Sequence, residues 1–323
     1  MTDGSGRAAS ARPVPVVLPE KESAMVEETI RSLSVGGVSY SYRLLRQPDG
    51  VTEPVMVLGG ALQGMFGWPQ MEDQVGPVAD VVTADLPGMG SADPLPPGPS
   101  ANIVCAAIER VIDDLGVPQV NLFGFSYGAG LAYGCAQRFP RRIARLALGG
   151  VPAHVTPAQL DLWRRAADHL ARGDAESFAT LVAEALMCLD ERRHVTKRQL
   201  AYRYVRRSML HAARHSPHAV DSLRRALVDR PDFSSGLTGV PTLVFSGEHD
   251  TVTSPARQRD FAARILGSRF LTIPDTDHWV VLERPQEVAD LAARFFTDAP
   301  LNSAPCLIPA AREELAVGDP AYA

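Results

Sequence analysis

The sequence has few cysteines, no long apolar run and little excess charge, and each shortage argues against a class of protein. Its four cysteines lie far apart, without a Cys-x-x-Cys pair or a Cys/His cluster, so neither a disulfide framework nor a zinc site is indicated. No apolar segment reaches the roughly 20 residues of a membrane-spanning helix. A net charge of −5 gives no preference for nucleic acid. We therefore expect a cytoplasmic protein without cofactor or metal and without a nucleic-acid or membrane partner.

The two ends of the chain lack apolar periodicity. Residues 1–28 are rich in Gly, Ala, Ser, Pro and charge, which predicts a disordered leader, and the Pro/Ala-rich residues 299–323 predict a flexible tail. The N-terminus has no basic stretch followed by an apolar run, so no signal peptide is expected. The remaining residues, 46% apolar over the whole chain, are enough for one large core with an inserted subdomain.

Short, nearly continuous apolar runs predict a mostly parallel sheet that is buried on both faces. They cover residues 54–59, 81–85, 120–123, 143–149, 242–246 and 270–273. Helical patterns at 101–115, 128–139, 255–266 and 285–297 lie between several of them. Apolar residues also alternate on either side of Gly36-Gly37, which predicts an N-terminal antiparallel hairpin. The fold class is therefore α/β.

The segment Gly124-Phe125-Ser126-Tyr127-Gly128 fits the pattern G-x-S-x-G and follows an apolar run. In such a strand-to-helix turn the serine lies at a strained position with its oxygen exposed, and the glycines leave room for the turn. The pattern alone fits a simple tight connection equally well. Three further segments in matching order favour a nucleophilic serine.

With these segments, the chain resembles the α/β-hydrolase superfamily over roughly residues 30–298. The matching segments are the loop Asp85-Leu-Pro-Gly-Met-Gly-Ser-Ala-Asp93, the nucleophile Ser126, the acid loop Gly247-Glu-His-Asp250 and the histidine loop Asp277-His278-Trp279. The order Ser, Asp, His is that of the superfamily. The resemblance implies an α/β-hydrolase core at 29–154 and 238–298, with a helical lid at 155–237 inserted after the sixth strand and shaping the substrate pocket.

The resemblance also implies a catalytic role for three residues. Ser126 is the expected nucleophile, His278 the base that takes its proton, and Asp250 the carboxylate that orients the imidazole. Glu248 is the alternative acid.

Four neighbouring polar residues are weighed against that assignment. His249 is interpreted as a loop histidine, and His154 as a structural residue that could instead face the pocket. Asp275 and Asp277 are interpreted as turn residues, although Asp277 could either raise the pKa of His278 or face solvent.

Two backbone N–H groups are expected to form an oxyanion hole. Tyr127 supplies one because it directly follows the serine, and alignment of Gly59-Gly60 with the usual His-Gly of the family makes Ala61 the other. The usual histidine is absent, so what holds this loop stays open, and Gln63 could enter the pocket. Leu62, Gln63 and Trp279 are the candidate substrate-binding residues.

Serine at position 126 argues against the family members that use aspartate, the haloalkane dehalogenases and epoxide hydrolases. Ester or thioester hydrolysis, acyl transfer, carbon–carbon hydrolysis, perhydrolysis and elimination remain. The segment Gly-Gly-Ala-Leu-Gln-Gly and the arginine-bearing lid resemble hydrolase-like enzymes of polyketide biosynthesis. We therefore favour Ser-His-Asp chemistry on an ester or thioester of a small molecule in such metabolism. One alternative is a lyase that eliminates acetate from an acetylated tetronate, and another is a non-catalytic hydrolase-fold binding protein.

The predicted lid carries a series of basic residues that could bind an acidic acyl carrier protein. They are Arg192, Arg193, Lys197, Arg198, Arg203, Arg206 and Arg207. A solvated helix face explains the same charges. A free small-molecule substrate is slightly favoured over a carrier-bound one.

Overall fold

The computed structural model describes residues 27–60, 63–96, 100–228, 230–301 and 304. Their strands form one eight-stranded sheet in the order β1-β2-β4-β3-β5-β6-β7-β8. The strands are β1 Glu27–Val35, β2 Val38–Arg46, β3 Val55–Leu58, β4 Val81–Asp85, β5 Val120–Phe125, β6 Ile143–Gly149, β7 Thr242–Gly247 and β8 Arg269–Ile273. β2 is antiparallel to both of its neighbours, and the pairs from β4 to β8 are parallel. The predicted mostly parallel sheet with an N-terminal antiparallel hairpin is confirmed.

Helices cover both faces of the sheet. They are α1 Pro69–Val75, α2 Ala101–Leu115, α3 Tyr127–Arg138, α4 Pro157–Ala171, α5 Ala175–Ala185, α6 Arg198–His215, α7 Ala219–Val228, α8 Pro255–Ala262, α9 Val280–Glu283 and α10 Pro285–Phe296. None of the helices in the described part of the chain is long and apolar enough to cross a membrane.

Successive side chains of the central strands feed two separate apolar clusters, as the alternation of a strand requires. Phe123 of β5 packs in the cluster with α1, α5 and α10, whereas Leu122 packs in the cluster with α2, α3 and α8. Every residue of β3, β5 and β7 is buried. Burial on both faces explains why these strands are continuous apolar runs in the sequence.

The helices α4–α7, residues 157–228, are inserted between β6 and β7 and are called the helical insertion below. A capping box starts it, in which the N–H of Gln159 donates to Thr156 Oγ1 and the Gln159 amide oxygen accepts from the N–H of Thr156. Phe178 and Met209 of the insertion belong to the same apolar cluster as Phe125 of β5. The insertion therefore packs directly on the end of the sheet that carries Ser126.

The ends of the core differ from the sequence-based boundaries. Glu27 and Glu28 were assigned to the leader but belong to β1, where Glu28 pairs with Arg43 of β2. Leu301 and Ala304, assigned to the tail, are buried in the cluster that contains α10. The rest of the leader, 1–26, and most of the tail, 305–323, lie outside the described residues.

Candidate active site

Ser126 lies between β5 and α3 in a conformation that few side chains adopt, with φ +53° and ψ −115°. Its neighbours allow this turn because they have no Cβ. A Cβ at Gly124 would lie 2.7 Å from the Cα of Ala129, and one at Gly128 would lie 2.1 Å from the carbonyl oxygen of Leu58. The G-x-S-x-G pattern therefore satisfies a steric requirement of the strand-turn-helix connection.

The structure brings Ser126, His278 and Asp250 into one hydrogen-bonded chain. Nε2 of His278 lies 3.0 Å from Ser126 Oγ, and Nδ1 lies 3.0 Å from Asp250 Oδ2. His278 and Asp250 are buried, 2% and 3% exposed. With its proton on Nδ1, the imidazole donates to Asp250 and accepts the hydroxyl proton of Ser126, the arrangement that proton abstraction from serine requires.

Three donors of the acid loop hold the Asp250 carboxylate. Oδ1 accepts from the N–H of Val252 at 2.8 Å and of Thr253 at 2.7 Å, and Oδ2 accepts from the Thr253 hydroxyl at 2.6 Å. Sequence reasoning missed Thr253. The signal was a hydroxyl residue three positions after an aspartate, which is typical of a turn closed by the aspartate side chain.

A family model described as alpha/beta hydrolase fold matches residues 53–285, which is most of the chain. The chain belongs to the α/β-hydrolase family. Its eight-stranded, mostly parallel sheet with antiparallel N-terminal strands and helices around it is the fold of that family.

Similar proteins support the same assignment. This α/β-hydrolase is 25% identical over 295 residues to a 2-hydroxy-6-oxononadienedioate/2-hydroxy-6-oxononatrienedioate hydrolase of Klebsiella pneumoniae, covering 87% of this chain and 99% of that protein. It is 25% identical over 242 residues to an (R)-3-hydroxydecanoyl-ACP:CoA transacylase of Pseudomonas aeruginosa, covering 72% and 76%. The crystal structure of MGS-M2, an α/β-hydrolase from a deep-sea metagenome library, superposes with a TM-score of 0.72 at 18% identity, covering 84% of this chain and 98% of that one. This last likeness shows the fold.

The electrostatics of the hydrolase site favour an ion pair between His278 and Asp250. Burial alone lowers the pKa of His278, but the charge and hydrogen bond of Asp250, together with the charge of Asp277, raise it above its ordinary value. Burial opposes ionisation of Asp250 as well, yet the neighbouring imidazole and Thr253 hold the pKa of this carboxyl below its usual range. The site therefore stabilises the protonated imidazole that serine attack produces.

The other acidic and histidine candidates of the two loops do not contact Ser126. The Glu248 carboxylate accepts from the backbone N–H of Asp275, and His249 Nε2 lies 3.9 Å from Glu248. These three residues are the only ones in the described ranges whose side chains could together offer three metal ligands. They are partly exposed and Asp275 already pairs with Arg284, so the arrangement does not indicate a metal site.

Asp277 is fully buried, so of the two alternatives left open for it the structure excludes the one in which it faces solvent.

The loop after β3 is held by Gln63. The side-chain amide oxygen of Gln63 accepts from the backbone N–H of Gly60 at 2.5 Å, and the backbone N–H of Gln63 donates to the Gly60 carbonyl at 3.1 Å. A Cβ at Gly59 would lie 2.9 Å from the Cβ of Gln63, which leaves no room for the histidine usual at that position. Ala61 and Leu62 lie outside the described residues, and Tyr127 begins α3 directly after Ser126.

A cavity of about 110 Å³ opens at Ser126. Its walls are mostly apolar, and seven of the sixteen lining residues come from the helical insertion, while His154 and Trp279 also line it. The insertion residues among them are Gln159, Trp163, Phe178, Val182, Leu186, Met209 and Leu223. An empty apolar cavity of about 150 Å³ holds one benzene, so the smaller space here suits a short acyl group.

A second cavity of about 350 Å³ shares Met209 and Trp279 with the first. One of its walls is a polar face of α6, formed by Tyr204, Arg207, Ser208 and His211. The opposite wall contains Gln63, so the structure places this residue in the second cavity and outside the lining of the first.

Proposed function

We propose that this hydrolase cleaves an ester or thioester of a small molecule through an acyl-enzyme on Ser126. His278 takes the hydroxyl proton as Ser126 Oγ attacks the carbonyl carbon, and it then gives that proton to the leaving alcohol or thiol. Water, deprotonated by the same imidazole, next attacks the acyl carbon and releases the acid and free Ser126. Asp250 stabilises the imidazolium in both steps. The observation that carries this proposal is the hydrogen-bonded chain from Ser126 to Asp250 at the wall of an apolar cavity.

Two further elements complete the proposed mechanism. The N–H groups of Tyr127 and Ala61 are proposed to donate to the developing oxyanion, the first because of its position after the nucleophile. The helical insertion is proposed to act as the lid, because seven of the sixteen residues that line the cavity at Ser126 belong to it and would exclude water from the acyl group.

Acyl transfer is a second candidate, favoured by the name of one relative, an ACP:CoA transacylase. It differs from hydrolysis only in the acceptor that attacks the acyl-enzyme, so the same residues serve both reactions. A role in polyketide-like metabolism and the elimination of acetate remain predictions, and neither relative's name refers to them. A non-catalytic binding protein would not need the strained serine and the aligned imidazole, which argues against that alternative.

Labelling with a fluorophosphonate tests the proposal directly. We expect the intact protein to gain the mass of one phosphonyl group, located on Ser126 by peptide mapping, and to release acid from a chromogenic acyl ester. The variant Ser126→Ala should gain no mass and should not turn over the ester. An unlabelled wild-type protein, or equal labelling of both proteins, would overturn the assignment of Ser126 as an activated nucleophile.

The proposed carrier partner depends on which basic residues are free to bind it. Three of the seven predicted residues are paired with carboxylates within the insertion: Arg192 and Arg193 pair with Asp190, and Arg206 pairs with Glu176 at 2.7 Å. Arg207 is exposed, lines the second cavity and has no acidic partner among the described residues. An anionic group of a carrier protein or of a substrate that enters the second cavity would therefore meet Arg207.

Reversal of Arg207 separates a carrier-bound from a free substrate. If the substrate is carrier-bound, we expect Arg207→Glu and added salt each to lower kcat/KM for a carrier-linked thioester by about tenfold, because exposed charges steer association and are screened over about 8 Å. Arg141→Glu is the matched control, since it changes the net charge equally but precedes β6 at the other end of the sheet. Steady-state kinetics at low and high salt measure this. Equal turnover of free and carrier-linked substrates, insensitive to both changes, would exclude the carrier.

A further inference from the structure

Two buried carboxyl groups lie behind His278 and are not part of the Ser-His-Asp chain. Asp277 and Glu283 are both 0% exposed. The backbone N–H of Asp277 donates to Glu283 Oε2 at 2.7 Å, and the other oxygen of Glu283, Oε1, has no hydrogen-bond partner. A buried carboxyl with an unsatisfied oxygen is costly, so its presence needs a physical explanation.

The surroundings of Glu283 hold it in its neutral form at neutral pH. Burial, together with the neighbouring Asp277 carboxylate, raises the pKa of Glu283 to about 10. Glu283 is therefore a neutral acid beside the backbone of Asp277. The Asp277 carboxylate accepts two backbone N–H groups, from Trp279 to Oδ1 at 2.9 Å and from Cys188 to Oδ2 at 2.8 Å. The described contacts of the Asp277 carboxylate include no cation, and its charge is one of those that raise the pKa of His278, the next residue in the chain.

The bond to Cys188 joins the histidine loop to the helical insertion. Cys188 lies between α5 and α6, two residues after Leu186, which lines the cavity at Ser126. The same segment docks on the loop again at Asp275, whose carbonyl accepts from the N–H of Thr196 at 2.7 Å and whose carboxylate lies 3.2 Å from Nδ1 of His194. The wall of the pocket and the proposed base are thus connected through Asp277.

We propose that Asp277 is a positioning residue: a second carboxylate that fixes the histidine loop against the helical insertion and stabilises the imidazolium of His278. This inference rests on the proposed function, because it assigns Asp277 a role only if His278 acts as the base. In this arrangement, Asp250 orients the imidazole of His278 from the acid loop, and Asp277 adds negative charge from the histidine loop itself.

The other groups around the His278 ring are consistent with these roles of Asp250 and Asp277. Gly150 and Phe125 approach it from the sheet without charge, the ring of Phe125 at 5.5 Å between centroids, and Thr253 Oγ1 lies 3.5 Å from Nδ1. Among the described groups, the charges that raise the pKa of His278 are those of Asp250 and Asp277. Because Glu283 is neutral, it can support Asp277 without adding charge.

The pH dependence of fluorophosphonate labelling at Ser126 tests the inference, since the labelling rate follows the fraction of neutral His278. We expect the acid limb of the wild-type profile to have its midpoint above about 6.5, the ordinary value for histidine. Removal of the Asp277 charge destabilises the imidazolium, so the midpoint of Asp277→Asn should move to lower pH. Glu283→Gln is the matched control: it alters the same buried cluster but replaces one neutral group by another, and its midpoint should equal that of the wild type.

Several outcomes would overturn the inference. One is a midpoint below 6.5 in the wild-type protein. Another is the same midpoint in the wild type and in Asp277→Asn. A third is a midpoint displaced equally in Asp277→Asn and in Glu283→Gln. If Asp277→Asn does not fold, Asp277→Ser, which keeps a short acceptor without charge, must show the same displacement. Labelling that is absent from the wild type at every pH would instead reject the proposed function, so the two failures are distinguishable.

Discussion

Replacement of Ser126 or of His278 by alanine is expected to lower kcat by roughly 10⁴- to 10⁶-fold, and the double replacement should cost little more. In the proposed mechanism the two side chains perform one step, because the proton of Ser126 Oγ passes to His278 Nε2 across their 3.0 Å contact. Removal of either partner therefore removes the whole step. Asp250→Asn should cost less, since Ser126 and His278 remain and only the orientation and charge of the imidazole are lost.

Steady-state kinetics with a chromogenic acyl ester measure these losses. His249→Ala is the matched control, a histidine of the acid loop that contacts Glu248 and not Ser126, and its kcat should stay within a few-fold of the wild type. Full activity of Ser126→Ala would exclude covalent catalysis. If only His278→Ala were inactive, proton abstraction by His278 without an acyl-enzyme would be the better description, and elimination would become the favoured reaction.

The parts of the fold that sequence predicted are those whose physical cause is local. β4 and β6 occupy the predicted 81–85 and 143–149, because a strand buried on both faces must be a continuous apolar run. α1 and α9 were not predicted, since helices of seven and four residues are too short for a clear period.

The unpredicted parts of the site depend on contacts between distant residues. The bond from Cys188 to Asp277 joins positions 89 residues apart, and no local pattern marks it. Nothing in the local sequence distinguishes Glu283 from an exposed polar residue of a short helix. Only the three-dimensional structure shows that it is fully buried beside another carboxyl. The role of Gln63 was predictable in part. The absence of the usual histidine at Gly59 indicated that another residue must hold the loop, but only the structure shows that Gln63 does so through its bond to Gly60.

The two glycines Gly128 and Gly130 of α3 should respond oppositely to replacement by alanine. A Cβ at Gly128 would lie 2.1 Å from the carbonyl oxygen of Leu58 and 2.5 Å from that of Gly59. Neither backbone atom can move without displacing the end of β3. We therefore expect Gly128→Ala to lower the free energy of unfolding by about 3 kcal/mol or more, at the upper end of what overpacking costs.

Gly130→Ala is the control within the same helix, because its Cβ would meet only side-chain atoms at 3.7 Å or beyond. Alanine is preferred over glycine in a helix by about 1 kcal/mol, so this variant should be neutral or slightly more stable. Urea denaturation measures both stabilities, and ester turnover per folded molecule measures the site. The end of β3 continues into Gly59 and Gly60, the loop that Gln63 holds beside Ser126, so a displacement there should also reduce turnover in the Gly128→Ala molecules that do fold. Equal stability and turnover of the two variants would show that close contact between α3 and β3 does not set the geometry of the nucleophile.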